Sequence, residues 1–181
     1  MAMLHIFDLD GTLVEKYGER PLTGVVEKIA ELQAQGARIA VATNQAGPAW
    51  GAATGELKYP DPRDLGARFV RIAAHLPQLA QVPWFVSVGD DRLSLSRVAY
   101  RLLIQELEIG AAGLGLHVSA ASSWRKPAPG MLLAACQRFH VGPEMAIFVG
   151  DAETDAEAAA NAGMAFSTAA RFFGWGQTVQ V

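Results

Sequence analysis

Asp8 and Asp10 stand two residues apart in Asp8-Leu9-Asp10-Gly11-Thr12-Leu13, directly after an apolar run, Leu4-His5-Ile6-Phe7, that reads as a strand. Two carboxylates at one strand end lean toward the same small volume. Like charges that close are costly unless a cation or a shared proton offsets them. A divalent ion that favours hard oxygen ligands, Mg²⁺, meets the need and leaves positions open for phosphate oxygens. One carboxylate can then attack phosphorus while the other handles protons. On this reading Asp8 is the nucleophile and is converted to an aspartyl-phosphate. Asp10 protonates the leaving alkoxide and later deprotonates the attacking water.

Three later segments supply what such a reaction lacks. Thr43 and Asn44 close a second apolar strand, and Thr43 offers a hydroxyl and a backbone N–H to a phosphoryl oxygen. Lys126, just before Pro127, supplies positive charge against the nucleophile and the transferring group. Asp151, after the apolar run 146–149, completes the metal site, and Asp155 lies one helical turn on, placed to support the ion or its waters. Positive charge then gathers where in-line phosphoryl transfer concentrates negative charge. Singly, each segment has an ordinary explanation. Asp-x-Asp-Gly occurs in turns and calcium loops, although the apolar Leu13 and Val14 fall where an EF-hand needs oxygen ligands. Thr43-Asn44 serves as a turn or cap, Arg125-Lys126-Pro127 as a solvated loop, and Asp151 and Asp155 as favourable charges at a helix start. The order and strand-end placement of all four point instead to one crevice.

The elements that must position these groups alternate along the chain. Strands are expected at 3–7, 37–42, 83–88, 116–119, 146–149 and 164–166. A helix capped by Thr23 carries Val25, Val26, Ile29 and Leu32 and stops at Gly36. Others are expected near 65–76, 92–108 (with Leu95, Val98, Leu102 and Leu107), 129–139 and 152–161. The Gly- and Pro-rich stretch 46–62 reads as a loop. Strand–helix alternation implies an α/β fold with a Rossmann-like parallel sheet between helices, and ligands of such sheets bind beyond the strands' carboxyl ends.

The 181 residues suit one domain with a small insert, and 51% hydrophobic against 18% charged residues is a globular balance. A net charge of −3 gives no broad basic face for long nucleic acid. The single Cys136 excludes an intrachain disulfide and a multi-cysteine zinc site. No apolar run is long enough for a membrane span, and Asp8 comes too early for a signal peptide, so a cytoplasmic protein is expected. His5 and Cys136 read as core residues, and Arg63, Arg68 and Arg71 as an exposed helix face with Asp64 and Arg68 paired. Trp50 and Trp124 flank the site in sequence and read as rim or core packing, with stacking on a ligand as the alternative.

The set Phe7-Asp8-Leu9-Asp10-Gly11-Thr12-Leu13, Val41-Ala42-Thr43-Asn44-Gln45, Arg125-Lys126-Pro127-Ala128-Pro129-Gly130-Met131 and Val149-Gly150-Asp151-Ala152-Glu153-Thr154-Asp155 resembles the haloacid dehalogenase superfamily of Mg²⁺-dependent phosphatases. Thr-Asn-Gln with Arg-Lys-Pro-x-Pro-Gly-Met is similar to the branch holding heptose bisphosphate phosphatases, histidinol phosphatase domains and polynucleotide 3′-phosphatase domains. The resemblance covers residues 3–47 and 124–175 and is poor over 48–123. It implies Asp8 as nucleophile, Asp10 as acid/base, and Thr43, Asn44 and Lys126 on the phosphoryl group. Mg²⁺ would be held by the Asp8 and Asp151 carboxylates and the Asp10 carbonyl, with Arg125 reaching toward substrate. Members of this branch commonly carry a zinc loop before Arg-Lys-Pro. Ser119-Ala120-Ala121-Ser122-Ser123-Trp124 stands there instead, so no zinc is expected. Residues 90–118 are expected as a small insert over the site, within a poorly matched region, 48–118.

The reading is a phosphomonoester hydrolase acting on a sugar phosphate or similar small metabolite. A 3′-phosphorylated nucleic-acid end is the second substrate reading. From other classes, a phospho-accepting receiver domain and a non-catalytic binding module also compete. Receivers place the phosphorylated Asp on a middle strand well after the acidic pair, whereas here the pair opens the chain.

Overall fold

The computed structural model describes residues 2–176. Six strands form one parallel sheet: β1 (Leu4–Phe7), β2 (Arg38–Asn44), β3 (Pro83–Ser87), β4 (Gly115–Ser119), β5 (Ala146–Gly150) and β6 (Ala165–Thr168). Their order is β4-β3-β2-β1-β5-β6. The chain builds outward from β1 to β4 and then returns to the other side of β1. That reversal opens a crevice at the carboxyl ends of β1 and β5, the usual ligand position in such sheets. Phe7 is level with Val41 and Val149, so the three central strands deliver their polar ends to neighbouring points.

Side-chain alternation assigns the two faces. Leu4, Ile6, Ala40, Ala42, Phe85 and Phe148 pack on α5 (Gly130–Phe139) and α6 (Glu153–Ala162). Phe7, Val41, Trp84, Val86 and Val149 face the opposite layer, which holds α1 (Val25–Ala34), α3 (Pro62–His75) and α4 (Arg97–Gly110). Cys136 is buried in the first layer. No helix among the described residues is long and apolar enough to cross a membrane.

Several local expectations change. Residues 47–54 of the expected loop form α2 (Gly47–Thr54), with Pro48 in the first turn and Gly55 at its end. Proline is tolerated there because the first turn has no N–H partner to lose. Thr23 does not cap α1. Gly24 precedes the helix with no side-chain cap, and the Thr23 carbonyl instead accepts from Trp175 Nε1 at 2.6 Å. Helix α4 starts at Arg97 because Ser96 Oγ accepts from the Ala99 N–H at 3.1 Å. It buries Leu103 and Leu107 and leaves Val98 and Leu102 67% and 56% exposed. Both pairs have helical spacing, so periodicity alone could not choose the buried face. A short α7 (Ala169–Phe173), capped by Thr168, follows β6. Within 48–118, β3 and β4 join the sheet, while α2, the turn into α3 and one side of α4 wall the strand-end crevice.

Helices α3 and α4 approach backbone to backbone at Gly66 and Gly110. A Cβ on Gly66 would meet the Leu107 carbonyl at 2.3 Å, and one on Gly110 would meet that of Arg63 at 2.2 Å. Backbone cannot step aside as a flexible side chain can, so Gly66→Ala should destabilise the chain by about 1–3 kcal/mol. Urea unfolding checks this, and an unchanged midpoint would show that the two helices slide freely.

Candidate active site

Lys126 lies at the centre. Its side chain is 3% exposed, and its Nζ donates to Asp8 Oδ1 at 2.6 Å and to the Ala42 carbonyl at 3.1 Å and sits 2.7 Å from Asp155 Oδ1. Three partners satisfy the three N–H bonds of an ammonium. Asn44 at the end of β2 fixes this lysine's backbone: its Nδ2 donates to the Lys126 carbonyl and its Oδ1 accepts from the Lys126 N–H, both at 3.1 Å. The Lys126–Pro127 bond is cis, and the Pro127 carbonyl accepts from Asn161 Nδ2 at 2.9 Å. Arg125-Lys126-Pro127 is therefore built into the site rather than a solvated loop.

Asp8 follows β1, its N–H donating to the Val149 carbonyl at 2.9 Å. Burial pushes its carboxyl up to about 6, while the Lys126 ammonium pulls the other way. Burial also opposes the charge on Lys126, but Asp8 and Asp155 outweigh it and leave the ammonium raised. Asp155 is 1% exposed. Its Oδ2 accepts from the N–H groups of Asp151 and Ala152, both at 3.1 Å, which holds the start of α6. Asp151 is raised by burial and then by the Asp155 charge.

Asp8, Asp151 and Asp155 each bring a carboxylate oxygen within 4.8 Å of the others. One ammonium faces three carboxylates, and hard oxygen donors in that number fit a divalent cation. Asp155 is engaged by Lys126 and two N–H groups, so Asp8 and Asp151 are the members with capacity left for an ion. Gly11 makes the approach: its φ is 81°, and a Cβ there would lie 2.3 Å from Asp151 Oδ2. The turns after β1 and β5 therefore touch only because residue 11 has no side chain.

Asp10 sits beside this centre and is held from three directions. Its Oδ1 accepts from the Tyr17 N–H at 2.9 Å, and its Oδ2 from Gln45 Nε2 at 2.7 Å. Arg68 adds Nη2 to Oδ1 at 2.5 Å and Nη1 to Oδ2 at 3.4 Å, while also donating to the Gly18 carbonyl. Gln45 Nε2 also reaches Thr43 Oγ1 at 3.0 Å, and Thr43 is buried. Arg68 and Gln45 were absent from the sequence-derived site. The expected Asp64–Arg68 pair gives way to Asp10, and only Arg63 and Arg71 remain on an exposed face, on Glu106 and Glu19. The missed signal was positional: Arg68 lies three residues after buried Leu65 and four before buried Ile72, on the inward side of α3.

Beyond Asn44 and Gln45 opens a cleft of about 1620 Å³. Asp90, Trp50, Arg92 and Arg125 form one wall. Asp90 accepts from both side chains' nitrogens, Trp50 Nε1 at 3.2 Å and Arg92 Nε and Nη2 at 2.8 and 2.7 Å, and lies 3.4 Å from Arg125 Nη2. Arg92 beside Asp90 holds its carboxyl well below the ordinary carboxylate range. Trp124, in contrast, packs against Phe85 in the core layer of α5.

The Asp8 shift makes a stability prediction for the metal-free chain. A carboxyl raised from 3.8 to about 6 binds its proton more tightly folded than unfolded. Its contribution to stability is then complete below pH 4 and lost as pH rises through about 6. The difference in unfolding free energy between the wild type and Asp8→Asn should fall by up to about 3 kcal/mol between pH 4 and 7. Paired urea titrations across that range measure it; a flat difference would refute the buried-carboxyl account.

A family model described as HAD-hydrolase-like matches residues 123–168, which hold Lys126, Asp151 and Asp155. No curated protein matches the chain significantly. The solved structure of D,D-heptose 1,7-bisphosphate phosphatase from B. bronchiseptica, in complex with magnesium and phosphate, is 19% identical over 98% of this chain and 89% of that one, with a TM-score of 0.52. A protein named as a HAD-like phosphatase, from Mesorhizobium loti, is 19% identical over 90% of this chain and 69% of that one, with a TM-score of 0.53. The chain thus carries a HAD-hydrolase-like segment at 123–168 within the fold of the HAD-like phosphatases.

Proposed function

We propose that the chain is a Mg²⁺-dependent phosphomonoesterase that works through a phosphorylated Asp8 on a small phosphorylated metabolite. The observation that carries this is the Asp8 carboxylate held 2.6 Å from a buried lysine, with Asp151 beside it and a cleft opening past Asn44, Gln45 and Arg125. The fold neighbour from B. bronchiseptica was solved with magnesium and phosphate together.

Asp8 and Asp151 would hold the ion, with the Asp10 carbonyl as the third protein ligand that the resemblance implies. When bound, the ion supplies charge neutralisation for the phosphoryl oxygens and the two carboxylates. Asp8 attacks phosphorus with one carboxylate oxygen, forming the acyl-phosphate bond as the ester P–O bond breaks. Asp10 gives its proton to the departing alkoxide. As carboxylate it then takes a proton from water, whose oxygen attacks the same phosphorus. The bond to Asp8 breaks, releasing inorganic phosphate and restoring both side chains. Lys126, its three N–H bonds held by Asp8, the Ala42 carbonyl and Asp155, supplies positive charge beside the transferring group, and the Thr43 hydroxyl is placed to grip a phosphoryl oxygen. The Asn44 side chain is committed to the Lys126 backbone, so its contribution is to aim that ammonium. Arg68 and Gln45 occupy both Asp10 oxygens, so one must yield as Asp10 takes up its proton. The acidic Glu56, Asp61, Asp64 and Glu106 share the cleft walls with the basic residues. Interspersed charges of both signs give no continuous basic track for a nucleic-acid backbone, which favours a small substrate.

Phosphate release from a panel of sugar phosphates and a 3′-phosphorylated oligonucleotide, with Mg²⁺ and with chelator, tests the reading. Activity should require Mg²⁺ and fall roughly a thousandfold or more in Asp8→Asn. Turnover of the oligonucleotide alone would replace the small-metabolite assignment. A phospho-protein stable for hours would favour the receiver reading, and full activity in Asp8→Asn would remove the nucleophile.

Arg68→Met should lower kcat by about tenfold to a hundredfold with a smaller change in KM, because the contact is with the proton-carrying group. Steady-state kinetics decide this, and a change confined to KM would place Arg68 on the substrate instead.

A further inference from the structure

We propose that the cleft contains a second oxyanion subsite, built by Arg92 and Arg125 around Asp90, which selects substrates carrying a phosphate or carboxylate besides the phosphoryl group removed. It rests on the phosphatase reading above. Asp90 has a side chain only 3% exposed, yet its partner Arg92 is 72% exposed. Arg92 is nevertheless immobilised. Its Nε and Nη2 grip both Asp90 oxygens, its backbone N–H donates to Oδ1 at 3.1 Å, and its guanidinium lies 5.1 Å from the Trp50 ring centroid. An exposed arginine normally samples many rotamers, and fixing one forfeits side-chain entropy. Here a buried carboxylate, an indole N–H and a ring face all serve to fix it.

The electrostatics fit an anion. One Asp90 carboxylate serves two guanidiniums, while the adjacent Asp91 forms no ion pair with either of them. Neighbouring Lys58 is neutralised by Glu56 at 2.5 Å. Among the described residues Arg92 Nη1 makes no hydrogen bond, and a planar fork suits a phosphate or carboxylate. A nucleobase platform fits less well, because Trp50 has Arg92 over its ring and Tyr59 stacked at 6.3 Å. Position completes the case. Arg125 directly precedes Lys126, so one peptide unit joins this cluster to the ammonium on Asp8, and Asn44 and Gln45 line the same cleft. A single small molecule can present one phosphoryl group to Asp8 and a second oxyanion to Arg92 and Arg125.

Binding to the 181-residue Asp8→Asn chain with Mg²⁺ tests the subsite without turnover. The calorimetric pairs are fructose 1,6-bisphosphate against fructose 6-phosphate, and 3-phosphoglycerate against glycerol 3-phosphate. At least one doubly anionic member should bind roughly tenfold tighter than its counterpart. Adding Arg92→Gln should erase that preference, while Arg92→Lys keeps part of it, since charge survives but the fork does not. The exposed position of Arg92 makes both variants compatible with the fold, which melting curves verify. Preference for the bisphosphate alone assigns phosphate, and preference for phosphoglycerate alone assigns carboxylate. Equal binding within both pairs, or a preference indifferent to Arg92→Gln, overturns the subsite. Wild-type turnover separates the two claims: a binding preference with no hydrolysis of any panel member refutes the phosphatase reading alone, and hydrolysis without preference refutes the subsite alone.

Discussion

A single ammonium group facing two buried carboxylates organises this protein. Lys126, Asp8 and Asp155 are all nearly withdrawn from water, and each would be costly to bury alone. Together they are tolerable, because the lysine's three donors all find oxygen and the carboxylates find further N–H groups. Removing one member of such a set leaves an uncompensated charge, which typically costs about 3–5 kcal/mol. The centre is charge-deficient even so, since Asp151 brings a third carboxylate to the same point. That deficit is the physical reason the site suits a divalent cation.

Sheet topology makes this arrangement reachable. The three acidic residues and the lysine come from opposite ends of the sequence, yet β1 and β5 are adjacent because the chain reverses direction of assembly between them. Parallel pairing then puts both strand ends on the same edge. Gly11 lets the two following turns touch, and Asn44 ties the lysine's backbone to β2. The burial on both sheet faces keeps these ends in register.

Much of this was legible in the sequence, and the limits have physical causes. Strand cores are short apolar runs with polar residues immediately after, so β1, β2 and β5 and the groups at their ends could be located from pattern alone. Helix α4 was harder, because its two apolar pairs, Val98/Leu102 and Leu103/Leu107, have the same spacing and only tertiary packing decides between them. Helix α2 was hidden by its Gly and Pro residues, with Gly47 and Pro48 in the first turn, Gly51 within it and Gly55 at its end. Arg68 was misplaced because Asp64 offered a local partner four residues away. The Asp10 carboxylate, 58 residues distant, won because it is partly buried and already oriented by Tyr17 and Gln45. The Asp90 cluster left no sequence signal: its partners are spread from Trp50 to Arg125, with no common motif.

The two-way amide contact between Asn44 and the Lys126 backbone spans 82 positions. Everything that walls the cleft between those points, from α2 through α4 to Arg125, belongs to an excursion whose two ends are clamped together. Such an arrangement separates two evolutionary pressures. The parts of that stretch outside β3, β4 and the Arg68 contact can be lengthened, shortened or rewritten to admit a different guest, while the aim of the lysine is fixed by a strand end that they do not control.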